Sequence, residues 1–387
     1  MSEIKVNSIK GVGASTAAIT VNNADGTCSA NITNNLSNRR INQNGQMSVW
    51  QRGTSITSQG YSPDRYFQKF SSAGRITHTI SRQNLTSSDT PYDSGFRYFM
   101  RHALSAAGTA NAAADVHTQH TIEAQDLAQS GWVHTSPSSY LSISFWVRAS
   151  TSQKFYLNLR TRDGTSQAYN IPFTPSANTW TKVTAQIPGN ANVQIDNDND
   201  KGLHLNFYKF IGTDDTGGSS ENAWAAYSGT AKVPDMASTW LTAGASTFDL
   251  TGLQVEAGSV ATDFEFRTFA QEVALCQRYY ESNMGPNAPV TTTDGSISSQ
   301  WAYMGSQDSN SLLASTGIVY KVTKRTSPTV TIYNPSNTGT ANRANSEGNE
   351  KTVTAVYGGI NAAGRVYVSG CSAGDYVTYN WESTAEL

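Results

Sequence analysis

Two-residue alternation of apolar and polar side chains is the feature that most constrains this chain. In "YLSISFWVRAS", Leu141, Ile143, Phe145 and Val147 fall on one side of an extended backbone. Ser142, Ser144, Trp146 and Arg148 fall on the other. Successive side chains of a strand point to opposite faces, so this period fits a β-strand with one buried face and does not fit a helix. "KFYLNLR" repeats it, with Phe155, Leu157 and Leu159 set against Tyr156, Asn158 and Arg160. "GLHLNFY" does so again, with Leu203, Leu205 and Phe207 against His204, Asn206 and Tyr208. "WTKVTAQIPG" and "TFDLTGLQVEAG" read as further strands closed by Gly or Pro. The expected fold is all-β, with a central jelly-roll β-sandwich over residues 38–267.

The same reading divides the rest of the chain. Residues 1–37 are poor in large apolar groups and cannot build a core alone. They read as an extended segment, either an attachment or stalk piece or a floppy tail. Residues 268–289 read as a linking helix and turn. Thr268 and Gln271 have the spacing of a capping box, and Phe269, Val273, Cys276 and Tyr280 form an expected apolar stripe. "NMGPNAPV" stops the helix. Residues 290–387 return to strands and read as a small C-terminal β domain, helped by self-association through its tyrosine faces. Within it, "SNTGTANRANSEGNEK" is expected to be a long exposed loop.

Charge narrows the partners. Acids and bases together make up 14% of 387 residues and the formal net charge is −2. With no basic excess, nucleic-acid binding through the phosphate backbone is not expected. No apolar run approaches the ~18 residues of a spanning helix, so no membrane insertion is expected. The start, "MSEIKVNSIKGVG", lacks the apolar core of a signal peptide, which implies synthesis and assembly in a cytoplasm. Cys28, Cys276 and Cys371 are odd in number and widely spaced. They fit neither a disulfide framework nor a zinc ribbon and read as reduced small hydrophobes.

Several constellations bear on chemistry. Glu272 and Cys276 stand four apart on the expected helix, but a thiol mechanism needs a neighbouring His, and none lies near in sequence. Packing is the reading for this pair. His117 and His120, with His134 or Glu123, would share a metal only on a helix; on a strand they point to opposite faces. Asp196, Asp198 and Asp200 in "QIDNDNDKG" are calcium candidates, with an Asx-rich turn as the alternative. Lys201 stands where such a loop needs Gly, and no Glu closes it. No P-loop, dinucleotide glycine pattern or Ser nucleophile elbow occurs, so no cofactor is expected. Asp64 and Arg65 in "YSPDRYF" read as a structural ion pair. The polar sides of the three strands supply a candidate glycan-binding face: Trp146, Arg148, Tyr156, Asn158, Arg160, His204, Asn206 and Tyr208. Rings pack on sugar C–H faces, and guanidinium and amide groups pair with vicinal hydroxyls. These residues share a surface only if their strands share a sheet; burial of that face is the other reading.

"RINQNGQMSVWQRGTS", "YSPDRYF", "LSISFWVRAS", "NTWTKVTAQIPG" and "FDLTGLQVEAGSVATDFEFRTFAQEVALCQRYYE" together resemble a family of bacteriophage virion proteins. Its members are tail-fibre or head-fibre-like proteins of tailed phages, marine ones among them. "YKVTKRTSPTVTIYNP" and "YVTYNWESTAEL" resemble the family's C-terminal domain, so the likeness spans about residues 38–387. It implies a non-enzymatic virion component, a central jelly roll similar to carbohydrate-binding modules, and a homotrimer. Residues 1–37 would meet other virion proteins, and the β domains a host cell-surface glycan. The alternatives are a capsid decoration or connector protein, and a polysaccharide-cleaving enzyme.

Overall fold

The computed structural model describes residues 6–13, 17–21, 28–30, 38–290, 299–308, 311–314, 317–336, 340–372 and 374–387. Of the expected N-terminal segment, residues 1–5, 14–16, 22–27 and 31–37 lie outside this description, as does the side chain of Cys28. What is described there is three short strands, Ser8–Ile9, Ile19–Val21 and Cys28–Ala30, paired antiparallel.

The chain is all-β, and its centre is a sandwich of two sheets. One sheet has the spatial order Thr181–Pro188, Tyr140–Ala149, Thr247–Ala257, Tyr98–Leu104, His78–Asn84, Ser55–Ile56. The other runs Trp224–Ala226, Gln167–Phe173, Phe155–Thr161, Lys201–Ile211, Asp115–Glu123, Tyr66–Ser71, Gly60–Tyr61. The chain crosses repeatedly between the two, as in a jelly roll. The alternation explains the core directly. Leu141, Ile143, Phe145 and Val147 from the first sheet meet Phe155, Leu157, Leu159, Leu203, Leu205 and Phe207 from the second, all buried. Burying each such side chain contributes roughly 1.5–3 kcal/mol. Phe145 packs edge-on against Phe207 and Phe173, which sets the two sheets face to face.

The helix Phe269–Gln277 starts on Thr268 with both hydrogen bonds of the capping box in place. Its buried side differs from the expected stripe. Phe269 is exposed, the helix ends before Tyr280, and the buried residues are Glu272, Cys276 and Gln277. The reason is electrostatic: fully buried Glu272 pairs with fully buried Arg40 and accepts the Asn44 amide, and this orients the helix. Burial pushes the Cys276 thiol well above its ordinary value, which leaves it a packing group.

Beyond the helix, a fourth sheet includes Tyr280–Ser282, ahead of residue 290, because that strand pairs with Tyr376–Thr384. Tyr376–Thr384, Gln300–Asp308, Ser311–Ala314, Ala362–Ser369, Asn349–Gly358 and Arg343–Ser346 follow one another in space. The last closes on the first through Asn345 and Thr378, making a small barrel around Ile332, Val366, Val368, Val377 and Tyr379. The expected long loop is instead largely a hairpin. Arg343–Ser346 pairs with Asn349–Gly358 across Glu347 and Gly348, whose φ values of +50° and +82° suit a tight two-residue turn.

Asp64 and Arg65 do not pair with each other. Adjacent side chains diverge: Asp64 accepts from Gln51 and pairs with Arg52 at 3.4 Å, while Arg65 pairs with Glu386. These contacts fasten the barrel to the sandwich. Tyr61 donates to the Leu387 carbonyl at 2.7 Å, and Arg278 forks onto Glu123 at 2.7 and 2.9 Å.

Candidate binding cleft

The outer face of the seven-stranded sheet carries a cleft of about 410 Å³. The strand register builds it. Across two neighbouring strands Arg160 sits opposite His204, Asn158 opposite Asn206 and Tyr156 opposite Tyr208. On the next strands Gln119 pairs with Asn206 and with Phe67, and His117 with Tyr208 and with Lys69. Every second residue faces out, so these side chains form rows on one surface.

Of the eight expected face residues, Arg160, His204, Asn206 and Tyr208 line this cleft. Tyr156 and Asn158 lie on the same sheet face but beneath the segment that follows Ile211. Tyr156 donates to Glu221 at 2.7 Å and packs with Val233, and Asn158 donates to the Lys232 carbonyl at 3.1 Å. Trp146 and Arg148 do not share the surface at all, because their strand belongs to the other sheet. Arg148 is held there by Asp249 at 2.9 Å and Asp89 at 2.8 Å, over the Trp180 ring. Trp146 packs over Gly252, whose φ of +68° accommodates a bulge; a Cβ there would meet Phe96 and Trp146.

The cleft also contains groups outside the expected face: Tyr61, Phe67, Lys69, Asp115, His117, Gln119, Arg162, Tyr227, Lys232 and Leu387. "DVHTQHTIE" and "RYFQKF" do alternate, and that signal would have found His117, Gln119, Phe67 and Lys69. Tyr227 and Lys232 arrive on an irregular segment and carried no periodic signal.

Its floor is a ladder of amides. Asn206 Nδ2 donates to Asn158 Oδ1 at 3.2 Å, and Asn158 Nδ2 donates to Asn170 Oδ1 at 2.7 Å. The ladder fixes the side chains, yet Asn206 Oδ1 and His204 Nε2 are buried with no partner. Burial, with Arg162 and Arg160 next to it, lowers the His204 imidazole to about 3, so the ring is neutral. One wall is an ion cluster. Asp115 accepts from Lys69 at 2.7 Å and pairs with His117 at 2.5 Å. Despite burial, these partners hold its carboxyl well below the usual range. Lys232 pairs with Asp215 at 2.6 Å. Rings stand at both ends: the Arg160 guanidinium lies 3.6 Å from the Tyr227 centroid, and Tyr61 packs edge-on with Phe67 at 5.3 Å.

Among the described residues no group of three His, Cys, Asp or Glu is arranged to hold a metal. His117 faces the cleft while His120 turns into the core against Tyr66. The calcium candidates are exposed, and two of them cap their own turn: Asp198 accepts the Asp200 amide at 2.9 Å, and Asp200 that of Lys201 at 2.8 Å.

No family model matches the sequence. No curated protein matches it. Solved structures similar to it include the enzymatically active domain of tailspike protein 4 from bacteriophage CBA120. That likeness has 11% identity and a TM-score of 0.28, and covers 52% of this chain but only 21% of the tailspike chain. The family 11 carbohydrate-binding module of Clostridium thermocellum, in complex with a β-1,3-1,4-mixed-linked tetrasaccharide, has 10% identity and a TM-score of 0.25. It covers 53% of this chain and 96% of the module. The N-terminal cellulose-binding domain of Cellulomonas fimi β-1,4-glucanase C has 12% identity and a TM-score of 0.25, covering 56% and 98%. At such scores the likeness says nothing about ligand or activity, and the cleft's own chemistry has to be read directly.

Proposed function

We propose that this chain is a virion appendage protein whose sandwich binds host-surface glycans in the cleft of the seven-stranded sheet. The observation that carries the binding reading is the pair of buried, unpartnered polar atoms, Asn206 Oδ1 and His204 Nε2, fixed between rings and fork-shaped donors. Buried polar atoms without partners are costly, and saccharide hydroxyls would satisfy them. Tyr227, Tyr61 and Phe67 offer ring surface for the sugar's C–H faces.

The virion role is supported by the sequence resemblance over residues 38–387. Among the residues lining the cleft the only side-chain carboxylate is Asp115, already engaged by Lys69 and His117. Glycoside cleavage uses two carboxylates flanking the bond, so this lining favours binding without hydrolysis. Self-association is supported by the exposed rings of Trp301, Tyr303 and Tyr376 on the C-terminal barrel, and the homotrimer rests on the sequence resemblance. Several weak sites on one assembly would act together on a surface.

The test is a glycan array probed with the intact protein, alongside adsorption to host cells. Saccharide binding that Asn206→Ala weakens about five- to tenfold is expected, with no reducing-sugar release. Unchanged affinity of this variant at wild-type stability would sink the assignment of the cleft, and sugar release would overturn the non-catalytic reading.

A further inference from the structure

We propose that the saccharide taken by this cleft carries an anionic group, and that Arg160 and Arg162 receive it; this rests on the glycan-binding reading above. The two arginines stand two residues apart at the end of the strand Phe155–Thr161, and both line the cleft. The other cations of the lining are already matched, Lys69 by Asp115 and Lys232 by Asp215. Arg160 and Arg162 are half-buried, and each has its Nε buried without a hydrogen-bond partner. Among the described residues neither faces a carboxylate within ion-pair distance.

Elsewhere most buried or half-buried arginines are matched by a carboxylate, and Arg82 and Arg325, which are not, donate instead to an amide or to carbonyl oxygens. Arg148 has Asp89 and Asp249, Arg101 has Asp249, Arg278 has Glu123, and Arg65 has Glu386. A guanidinium drawn partly out of water without a counter-ion is destabilising, so two together in one cleft mark a site completed from outside. Arg160 stacks on the Tyr227 ring, which fixes its plane and leaves the N–H edge for a ligand. That edge is a fork suited to the two oxygens of a carboxylate, or to a sulfate or phosphate ester. Neutral His204 and the open Asn206 Oδ1, beside the arginines, would serve the same sugar's hydroxyls.

The experiment is calorimetric titration of the full chain with saccharides in matched pairs. One pair is an oligogalacturonate and its carboxyl-reduced neutral form; the other is a sulfated galactan oligosaccharide and its desulfated parent. At least one anionic member is expected to bind about tenfold or more tightly than its neutral counterpart. That preference should shrink as salt rises from about 50 to about 500 mM. Arg162→Gln, alone and with Arg160→Gln, should bring the pair to equality, each checked for an unchanged melting temperature. Lys182→Gln, which removes a charge from the opposite sheet, should leave the preference intact. Whichever arm responds identifies the anion as carboxylate or sulfate. Equal binding within both pairs would overturn the anionic assignment and leave the glycan reading standing. Binding of a thymidine decanucleotide as tight as that of any acidic sugar would overturn the saccharide as the source of the anion. Failure of every sugar, neutral and acidic, would overturn the glycan reading with it.

Discussion

The guanidinium carbon of Arg65 rests 3.3 Å from the centroid of the Tyr279 ring, while its Nη1 pairs with Glu386. Glu386 also receives Arg52 at 3.0 Å, and Arg65 Nη2 donates to the Thr121 carbonyl at 2.6 Å. One carboxylate from the end of the barrel thus pairs with two sandwich arginines in a nearly dry setting, and Asp64 supplies Arg52 with a second negative charge. Glu386→Gln is expected to cost about 3–5 kcal/mol, because it leaves buried positive charge uncompensated. Denaturant unfolding measures this, and a loss under about 0.5 kcal/mol would mean the pair is solvated. Replacing both members, Arg65→Met with Glu386→Leu, should recover part of the loss.

Side chains with the same sequence pattern should behave oppositely on the two sheets. Asn206→Ala removes one hydrogen-bonding group from the cleft floor and should weaken saccharide binding about five- to tenfold. Tyr227→Ala removes a stacking ring and should weaken it about as much. Arg148→Ala should leave affinity unchanged but lower stability by about 2–3 kcal/mol, since Asp249 is fully buried. Trp146→Ala should likewise spare binding. Titration calorimetry separates the two sets, and a binding defect in Trp146→Ala would reinstate the other sheet.

This contrast shows how far sequence reading reaches. Alternation identifies Leu157, Leu159, Leu203 and Leu205 as core because a strand's period is fixed by the backbone. It cannot say that the strand of Arg148 and the strand of Arg160 belong to different sheets, since that depends on pairing over long separations. Half of the expected face therefore remained together in one cleft, and two residues went to the opposite side. Lys209 follows Leu203, Leu205 and Phe207 inward by the same alternation, but a lysine gives no sign of its own burial, and the bulge between Tyr208 and Phe210 then brings Phe210 inward as well. The acid of the helix, Glu272, likewise gives no local sign of its partner Arg40, which lies 232 residues away.

The barrel's outer face should carry a contact between copies. Trp301 stacks on Tyr376 with centroids 5.2 Å apart, and Tyr303 beside them is 67% exposed. A contiguous exposed aromatic surface of this kind is normally covered. Trp301→Ser with Tyr303→Ser is expected to convert a trimeric wild type to monomer by light scattering, with unchanged circular dichroism. A monomeric wild type would remove the basis for self-association through this face.

Acid should loosen the sandwich before it affects the ion pairs. His78 Nδ1 and His102 Nε2 lie 2.8 Å apart between the sheets, with His78 stacked on Phe70 and His102 edge-on to Trp240. Burial, aided by Lys209, lowers His78 to about 4 and His102 well below its ordinary value. Lys209 itself, donating to Thr118, is lowered by burial. For a base with a depressed folded pKa, the unfolded chain binds more protons between the two values, so stability rises with pH there. The histidine contribution is therefore complete above about pH 6.5 and lost as pH falls toward 4. Asp126, raised to about 6 by burial and Glu123, works in the opposite sense over part of this window. The diagnostic is consequently a difference: the melting temperature of wild type should fall more steeply from pH 6.5 to 4.5 than that of His78→Phe with His102→Leu. Parallel slopes for the two proteins would show that these histidines take up protons without opening the core.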